Sequence, residues 1–424
     1  MRTLSQVKKN RRFIILQKLI VASLLIGFLA TLLAISLKKI TEHYETILFL
    51  KSSNFPWLLL IFPVFSLSII YFLRTYLFKR KINKGIKEIF EVTTHKNKHL
   101  PVYKIPSHFI NGMITVIFGG STGVEVSTVV ASATIGSIAQ QKENTFRKYK
   151  TELISAGVAA GITALFGSPI AGILFVVEVI SRKTTKAFFL TNGTSVLISM
   201  GLLLLLDEKP LFAVGDLNWN YYAVPYFILL GILAGFNSVY ITKCVLFFKN
   251  YFSTLSRDFY KIIIGSFVLS ISLFLIPELY GDGYHGVRAI LYQEVHFSIS
   301  MLLSGVLIII LKPIITSVTL ASGGDGGVFA PSLFIGAFLG FLLATVLNTF
   351  FNAQVIPINF VVLGMAAVLS ASIHAPFTSI FLICGVTGNY SLFTPLIGVC
   401  LVAKYTSKFL YPYTVYSIIP VKTT

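Results

Sequence analysis

The stretch GGSTGVEVSTVVASATIG, Gly119 to Gly136, decides the fold of this chain. It places one carboxylate, Glu125, among small and apolar residues in a chain whose composition is typical of a membrane protein. An ionisable side chain at membrane depth is costly and indicates a functional site. Glycines precede Glu125, and Ser127 and Thr128 follow it, which is the pattern of a helix that begins after a break in the backbone. We expect the unpaired N–H groups of this helix start to form an anion site.

The same pattern returns in the second half of the chain. TGVEVSTVVASATIG (122–136) aligns with GGVFAPSLFIGAFLG (326–340) at an offset of 204 residues, which pairs Glu125 with Phe329. A second segment, from Ala156, aligns with the segment from Leu363 at an offset of 207, which pairs Pro169 with Pro376. Nearly constant spacing in two separate segments indicates an internal duplication, which we interpret as an inverted-topology pair. In such folds the substrate site lies near the membrane midplane, between the repeats.

Composition excludes an ordinary soluble protein. Hydrophobic residues make up 55% of the 424 residues, charged residues make up 12%, and the mean hydropathy is +0.81. These values predict an all-α polytopic membrane protein. The net charge of +19 comes from lysines and arginines in short loops and termini, as membrane topology requires, so nucleic-acid binding is not expected. The positive excess would also draw anions toward the pore mouths.

No cofactor or metal site is predicted. Cys244, Cys384 and Cys400 lie far apart without C-x-x-C spacing, and the seven histidines show no H-x-x-x-H pattern. Asp325 in GGDGG resembles a metal or phosphate loop, but no partner ligands are suitably spaced. We interpret its glycines as helix breakers.

The chain divides into two membrane repeats with broken and re-entrant helices. The first repeat is expected to open with a span at Phe13–Leu37, and Gly167 to Pro169 is expected to break a helix pair. A basic connector is expected at 79–106 and a polar loop at 277–296. The predicted boundaries are a basic N-terminal segment at 1–12, the first repeat at 13–206, a connector at 207–221, the second repeat at 222–411, and a short tail with the end of the last helix at 412–424.

Several segments resemble the ClC family of voltage-gated chloride channels and chloride/proton exchangers. GGVFAP (326–331) resembles the family's G-x-F-x-P motif, and SASIHAPFTS (370–379) resembles an AASIRAPLTG-like segment. In the first half, GVEVS (123–127) stands where the family has G-K/R-E-G-P, and FGSPIAGILFVVE (166–178) resembles the helix pair that follows. YTVYSI (413–418) resembles the segment with the pore tyrosine. The resemblance implies a ClC-type inverted-repeat fold of the bacterial type, without CBS domains.

The resemblance also implies roles for single residues. Glu125 corresponds to the gating glutamate, whose ionised side chain competes with the anion and leaves when protonated or displaced. A carboxylate imitates a halide at a site built from N–H dipoles, so one site holds either. Tyr416 would donate its phenol hydroxyl to the anion, and the amides of Val328 and Phe329 would supply further donors. The remaining implied anion-binding positions are Gly327, Lys84, Gly85 and Val126.

Lys84 departs from the family pattern. N-K-G-I-K (83–87) stands where the family has G-S-G-I-P, so Lys84 replaces the anion-coordinating serine. A lysine there would raise the local anion concentration, bind the anion too tightly, or extend to water. GVEVS also lacks the family's basic residue and proline, having Val124 and Ser127 instead.

Another departure bears on the transport mechanism. Exchangers of the family usually carry a second glutamate after the one matching Glu178, and this chain has Val179, which cannot carry a proton. This favours a passive channel, and Glu178 itself is interpreted as structural. Tyr416 argues against the fluoride-specific branch, which leaves chloride as the expected substrate, with nitrate and bromide as further possibilities.

The leading hypothesis is therefore chloride transport through a pore in each subunit of a homodimer, in the plasma (inner) membrane, by a passive channel gated by Glu125. The alternative is a chloride/proton antiporter of the same family. An intramembrane enzyme using Glu125 as a base would need a second catalytic group, and none is convincingly placed, so no enzyme is expected. A sodium-coupled carrier would show sodium-dependent uptake.

Overall fold

The computed structural model describes residues 4–81, 83–95, 97–181, 184–292 and 298–416, and these residues fold as sixteen α-helices. The predicted all-α class is confirmed. The helices are α1 (Leu4–Asn54), α2 (Leu58–Phe72), α3 (Ile86–Thr94), α4 (Lys104–Ile117), α5 (Glu125–Lys142), α6 (Lys150–Phe166), α7 (Pro169–Phe175), α8 (Lys186–Leu205), α9 (Val224–Ser253), α10 (Asp258–Leu275), α11 (Tyr284–Tyr292), α12 (Ile299–Ala321), α13 (Phe329–Phe351), α14 (Pro357–Ile373), α15 (Pro376–Thr387) and α16 (Phe393–Leu410).

Short π-helical and 3₁₀ turns lie between these α-helices or directly continue them. Wider π-turns continue α2 through Leu73–Leu77 and α7 through Val176–Ile180, and 3₁₀ turns lie at Asn144–Tyr149, Tyr221–Ala223 and Pro277–Leu279. Seven segments are long and apolar enough to cross a membrane, by length and composition, among the described residues. They are Phe13–Asn54, Leu58–Leu77, Lys186–Leu205, Tyr221–Ser253, Asp258–Leu275, Ile299–Ala321 and Phe329–Phe351.

The glycine-rich breaks lie where the sequence predicts them. In the first half α4 ends at Ile117 and α5 begins at Glu125, and in the second half α12 ends at Ala321 and α13 begins at Phe329. The later helix pairs also correspond, because α6 and α14 are followed by the C-cap residues Gly167 and His374, both in the left-handed conformation with φ of 65° and 55°. The predicted duplication is therefore visible as two matching sets of broken helices.

Close helix crossings explain two glycines that occupy equivalent positions in the repeats. A methyl group at Gly136 on α5 would overlap the carbonyl oxygen of Leu153 on α6. A methyl group at Gly340 on α13 would likewise overlap the carbonyl oxygen of Phe360 on α14. Helices in membranes gain packing energy by such close approach of backbones. These two crossings hold each re-entrant helix against its neighbour.

The two repeats meet at their breaks. Gly123 and Gly327 form an isolated antiparallel bridge, with 3.5 Å between the Gly123 nitrogen and the Gly327 oxygen. Further along, the Ser168 hydroxyl at the start of α7 donates to the Phe381 carbonyl of α15 at 2.8 Å. The starts of α5 and α13 are therefore brought side by side in the protein interior.

The predicted first span was too short. Instead of ending at Leu37, α1 continues to Asn54 through Lys38 and Lys39. Both lysines contact Glu208, which lies just beyond the end of α8, so their charges are partly compensated and the helix continues. The helix also runs through the predicted boundary at residue 12.

The predicted connectors contain helices that the sequence analysis did not anticipate. The segment 277–296 was predicted as a polar loop, but most of it forms a 3₁₀ turn and α11, and residues 293–297 lie outside the described part. Tyr284 and Val287, three residues apart, are buried on one face of α11. Such a short amphipathic pattern is hard to recognise in a segment rich in glycines and charged residues. The basic connector 79–106 similarly contains α3 and the start of α4.

Candidate functional site

Glu125 is the first residue of α5 and is buried, with 3% of its surface exposed. Its carboxylate lies back over Gly123, where any side chain on that glycine would overlap it. Oε1 accepts a hydrogen bond from the Tyr284 hydroxyl at 2.7 Å, and Oε2 has no hydrogen-bond partner among the described residues. Among the described side chains, the carboxylate is thus held by one strong hydrogen bond.

The starts of α5 and α13 surround this carboxylate. The first amides of a helix have no partner within the helix, and they carry the positive end of its dipole. The amides of Glu125, from α5, and of Ala330, from α13, both interact favourably with the Glu125 carboxylate. A negative group at this point is therefore stabilised by both repeats, which is the chemistry of an anion site.

Tyr416, which follows α16, also lies at the start of α13. Its ring centroid lies 6.2 Å from that of Phe329, and its buried hydroxyl has no hydrogen-bond partner within the described chain. The hydroxyl lies 3.1 Å from the point where a Cβ on Gly327 would be, so the glycine makes room for its approach. A buried hydroxyl without a partner calls for a ligand or a water molecule to complete it.

The connector before α3 adds the last implied positions. A side chain on Gly327 would overlap Val126, and a Cβ on Gly85 would lie 3.4 Å from the Cγ1 atom of Val126. Since Val328 is the N-cap of α13, its amide belongs to the same helix start. The structure therefore brings together the backbone or side chains of Glu125, Val126, Gly327, Val328, Phe329, Gly85 and Tyr416.

The Lys84 side chain points toward Glu91 on α3. Its side chain is 54% exposed, and its ammonium group lies 3.7 Å from the Glu91 carboxylate on α3. Partial desolvation acts to raise the pKa of Glu91, but the hydrogen bond from Lys98 and the positive charges of Lys84 and Lys87 outweigh it and hold this pKa below its usual value. The charge of Lys84 is therefore shared with a surface carboxylate, and a direct bond to an anion stays a prediction.

Tyr284 is the residue of the site that sequence reasoning missed. It begins α11, its backbone N–H donates to Asp282 Oδ1 at 2.8 Å, and its ring packs edge-on against Phe212 with centroids 5.2 Å apart. The available signal was the tyrosine in GDGYHG, where glycines allow a sharp turn between two spans. Its contact with Glu125 joins residues 159 positions apart, which no local pattern reveals.

Buried charges fix the turn that carries Tyr284. The Lys312 ammonium group donates to the carbonyl oxygens of Leu279 and Gly281, both at 3.0 Å. The Glu45 carboxylate accepts from the Asp282 amide at 3.2 Å. Glu45, Asp282 and Lys312 are all buried; the positive charge of Lys312 acts favourably on both carboxylates, whereas Glu45 and Asp282 repel each other when both are ionised. The Tyr284 hydroxyl is therefore positioned by a rigid turn.

A narrow cavity of about 20 Å³ leads to Glu125, room for about one water molecule. Charged groups of both signs line it together with Glu125. Its lining consists of Lys38, Thr41, Glu42, Val124, Glu125, Leu165, Phe166, Leu211, Asp282 and Tyr284.

Glu178 makes contacts that suit the structural role favoured by the sequence analysis, and that role stays a prediction. Its carboxylate accepts from the amide and the hydroxyl of Thr378 at 2.7 and 2.6 Å, and from the Phe377 amide at 3.4 Å. These groups belong to the first turn of α15, so Glu178 caps the helix from outside. This contact also joins the two repeats.

Comparison with known proteins agrees with this geometry. The model of the family described as voltage gated chloride channel matches residues 65–408. The chain is 29% identical over 343 residues to the "H(+)/Cl(-) exchange transporter ClcA" of Salmonella paratyphi B (strain ATCC BAA-1250 / SPB7), covering 75% of this chain and 69% of the relative. The protein of the same name from Salmonella newport (strain SL254) matches equally.

Solved structures share the fold. A slow cyanobacterial Cl⁻/H⁺ antiporter superposes with a TM-score of 0.80 at 22% identity, over 94% of this chain and 96% of the other. A CLC-type fluoride/proton antiporter superposes with a TM-score of 0.77 at 25% identity, over 98% of both chains. Since the family model covers most of the sequence, this chain belongs to the voltage-gated chloride channel (ClC) family.

Proposed function

We propose that this protein exchanges chloride for protons across the membrane, with Glu125 acting both as the gate and as the proton carrier. The proposal is carried by one observation: the Glu125 carboxylate lies at the meeting point of two helix starts, held by the Tyr284 hydroxyl. Relatives at 29% identity are named H(+)/Cl(-) exchange transporters, which supports exchange over the passive channel that the sequence analysis favoured.

The mechanism follows from competition for one site. The ionised carboxylate occupies the field of the helix starts and keeps anions out. A proton arriving through the cavity neutralises Glu125, weakens its attraction to those dipoles and lets the side chain leave. An anion then binds, held by the amides of Val328 and Phe329 and by the Tyr416 hydroxyl. Release of the proton on the other side returns the carboxylate and expels the anion.

The donors around the anion are neutral, which suits transport. Backbone amides and a hydroxyl bind an anion through partial charges, so binding stays weak enough for release. Gly327, Val126 and Gly85 shape the space rather than supply charge. Chloride is the proposed substrate. Because one protein of similar structure is a fluoride/proton antiporter, a comparison of chloride with fluoride belongs in every flux measurement.

The remaining features of the proposal concern the assembly. We place the protein in the plasma (inner) membrane as a homodimer with one pore in each subunit, acting as a transporter and not as an enzyme. One pore in each subunit is supported by the contacts of Glu125, since the Tyr284 hydroxyl and the two helix starts that surround it are supplied by the same chain.

Reversal potentials in liposomes test exchange directly. With chloride fixed on both sides, a pH gradient is expected to shift the reversal potential of the purified protein. A passive channel would follow the chloride gradient alone, so an unshifted potential in protein that conducts chloride would refute exchange. Glu125→Gln is the control, because an amide cannot carry the proton. The reversal potential of this variant should therefore be independent of the pH gradient.

A further inference from the structure

His108, on α4, is fully buried and paired with Asp325. Its Nδ1 atom lies 3.1 Å from Oδ1 and 3.0 Å from Oδ2 of that carboxylate. The other ring nitrogen, Nε2, is buried and has no hydrogen-bond partner within the described residues. When the ring is neutral with its proton on Nδ1, that atom donates to Asp325 and Nε2 is the position that can take a proton.

Asp325 connects this histidine to the loops that carry the anion site. Its carboxylate accepts from the Asn83 amide group at 2.7 Å, and Asn83 lies two residues before Gly85. Its carbonyl oxygen accepts from the Thr122 hydroxyl at 3.3 Å, three residues before Glu125. Asp325 itself lies two residues before Gly327. Asp325 therefore belongs to the loop of Gly327 and contacts the two other segments of the site, those that lead to Gly85 and to Glu125.

The charged groups around the pair balance one another when His108 is neutral. Arg74, which follows α2, acts on Asp325. On the same helix as His108, the Lys104 ammonium group lies 2.7 Å from a Glu88 oxygen and 3.2 Å from the Asn83 amide oxygen. Asp258, which also acts on Arg74, is paired with Lys261 at 2.7 Å.

We propose that His108 is a second proton-binding site, whose protonation strengthens anion binding at the helix starts. A proton added at Nε2 leaves one positive charge uncompensated beside the loop that leads into α13. In a site of low dielectric constant such a charge favours a nearby anion. Because coupling between two ligands is reciprocal, anion binding must then favour proton uptake by His108.

This inference rests on the proposed anion site, but it does not require that protons cross the membrane. It differs from the gate, because Glu125 competes with the anion whereas protonated His108 attracts it. Chloride binding promotes proton uptake at both Glu125 and His108, so the two contributions must be separated. The test therefore uses protein carrying Glu125→Gln, in which the gate no longer titrates.

Calorimetry of chloride binding to the purified, detergent-solubilised Glu125→Gln protein provides two readouts. The affinity is expected to rise at least about fivefold as the pH is lowered from about 8 to about 5. The heat of binding is expected to depend on the ionisation enthalpy of the buffer, which reports protons taken up with chloride. The second readout needs no change at His108 and so does not depend on the folding of a further variant.

Two substitutions assign the effect. Adding His108→Gln is expected to remove both the pH dependence and the proton uptake. Adding His108→Lys is expected to hold the higher affinity at every pH without proton uptake, because the charge is permanent. Chloride binding that is independent of pH and of buffer in the Glu125→Gln protein would overturn the inference, as would an unchanged response after His108→Gln. Absence of chloride binding at every pH would instead refute the proposed function.

Discussion

Burial of Glu125 opposes ionisation of its carboxylate, whereas the Tyr284 hydroxyl and the amides of two helix starts favour the ionised form in this closed position. Replacing Glu125 by the neutral Gln or by the shorter Ala removes the carboxylate that competes with the anion for the site. We expect both variants to increase chloride flux and to reduce its dependence on pH, as measured by isotopic chloride efflux from liposomes over a range of pH. Unchanged flux and pH response in both variants would contradict a gating role.

Tyr284→Phe keeps the ring that packs on Phe212 and removes only the hydroxyl. A hydrogen bond to a charged group contributes about 1.5–3 kcal/mol, so the closed position loses that support. We expect faster chloride flux and no further change when Tyr284→Phe is added to Glu125→Ala, because the bond no longer exists there.

Tyr280→Phe is the matched control for this variant. Tyr280 is buried in the same turn, but its hydroxyl donates to the Ile117 carbonyl and does not touch Glu125. It should therefore leave the flux near that of the unmodified protein. An equal rise in flux for Tyr280→Phe, or an additive effect of Tyr284→Phe in Glu125→Ala, would show that Tyr284 acts through general loosening.

Residues were predictable where their chemistry is anomalous in its local context. Glu125 stands out as a carboxylate in an apolar repeat, and Tyr416 through its place in a recognisable segment. His108 and Tyr284 have no such signal, because their partners lie 217 and 159 positions away. Lys84 shows the opposite difficulty: its backbone position was implied, but its side chain turns toward Glu91.

At the scale of helices, the close crossing of α13 and α14 depends on Gly340. We expect Gly340→Ala to lower the thermal unfolding temperature in detergent, since overpacking costs about 1–3 kcal/mol. Gly398→Ala on α16 is the control, because it adds the same methyl group where no atom lies within 4 Å. Equal stability of the two variants would show that the helices can separate without cost.

Glu178 joins α15 to the end of the α7 segment, and its role is expected to be stability alone. Glu178→Ala leaves the first amides of α15 without their acceptor, at a cost of about 0.5–2 kcal/mol. We expect a lower unfolding temperature and an unchanged ratio of protons to chloride in flux measurements. A changed ratio would assign Glu178 to proton transfer.

Helix breaks were predictable, whereas helix continuation was not. Glycine and proline act locally, so the interruptions near Gly123, Gly167 and Pro169 could be read from the sequence. The continuation of α1 past Leu37 brings Lys38 and Lys39 to Glu208, a partner from a distant part of the chain that a local pattern does not reveal. Helix α11 was missed because its buried face spans only a few residues.

At the scale of the whole molecule, the inverted repeat was predictable because two offsets of nearly equal length repeat the same chemistry. The repeat predicts which helix starts meet, and the bridge between Gly123 and Gly327 is where they do. The charged supports behind the site, such as Lys312 with Glu45, arise only when distant helices pack together. They lie outside the repeated segments and therefore could not be predicted from them.

The completeness of the site within one chain leads to a prediction for the assembly. If the protein is a homodimer with independent pores, a covalently linked dimer carrying Glu125→Gln in one subunit should retain one exchanging pore and one uncoupled pore. Its chloride-driven proton movement should be about half that of the unmodified linked dimer at equal amounts in liposomes, because only the unmodified pore carries protons. Complete loss of proton movement would show that the two subunits share one pathway.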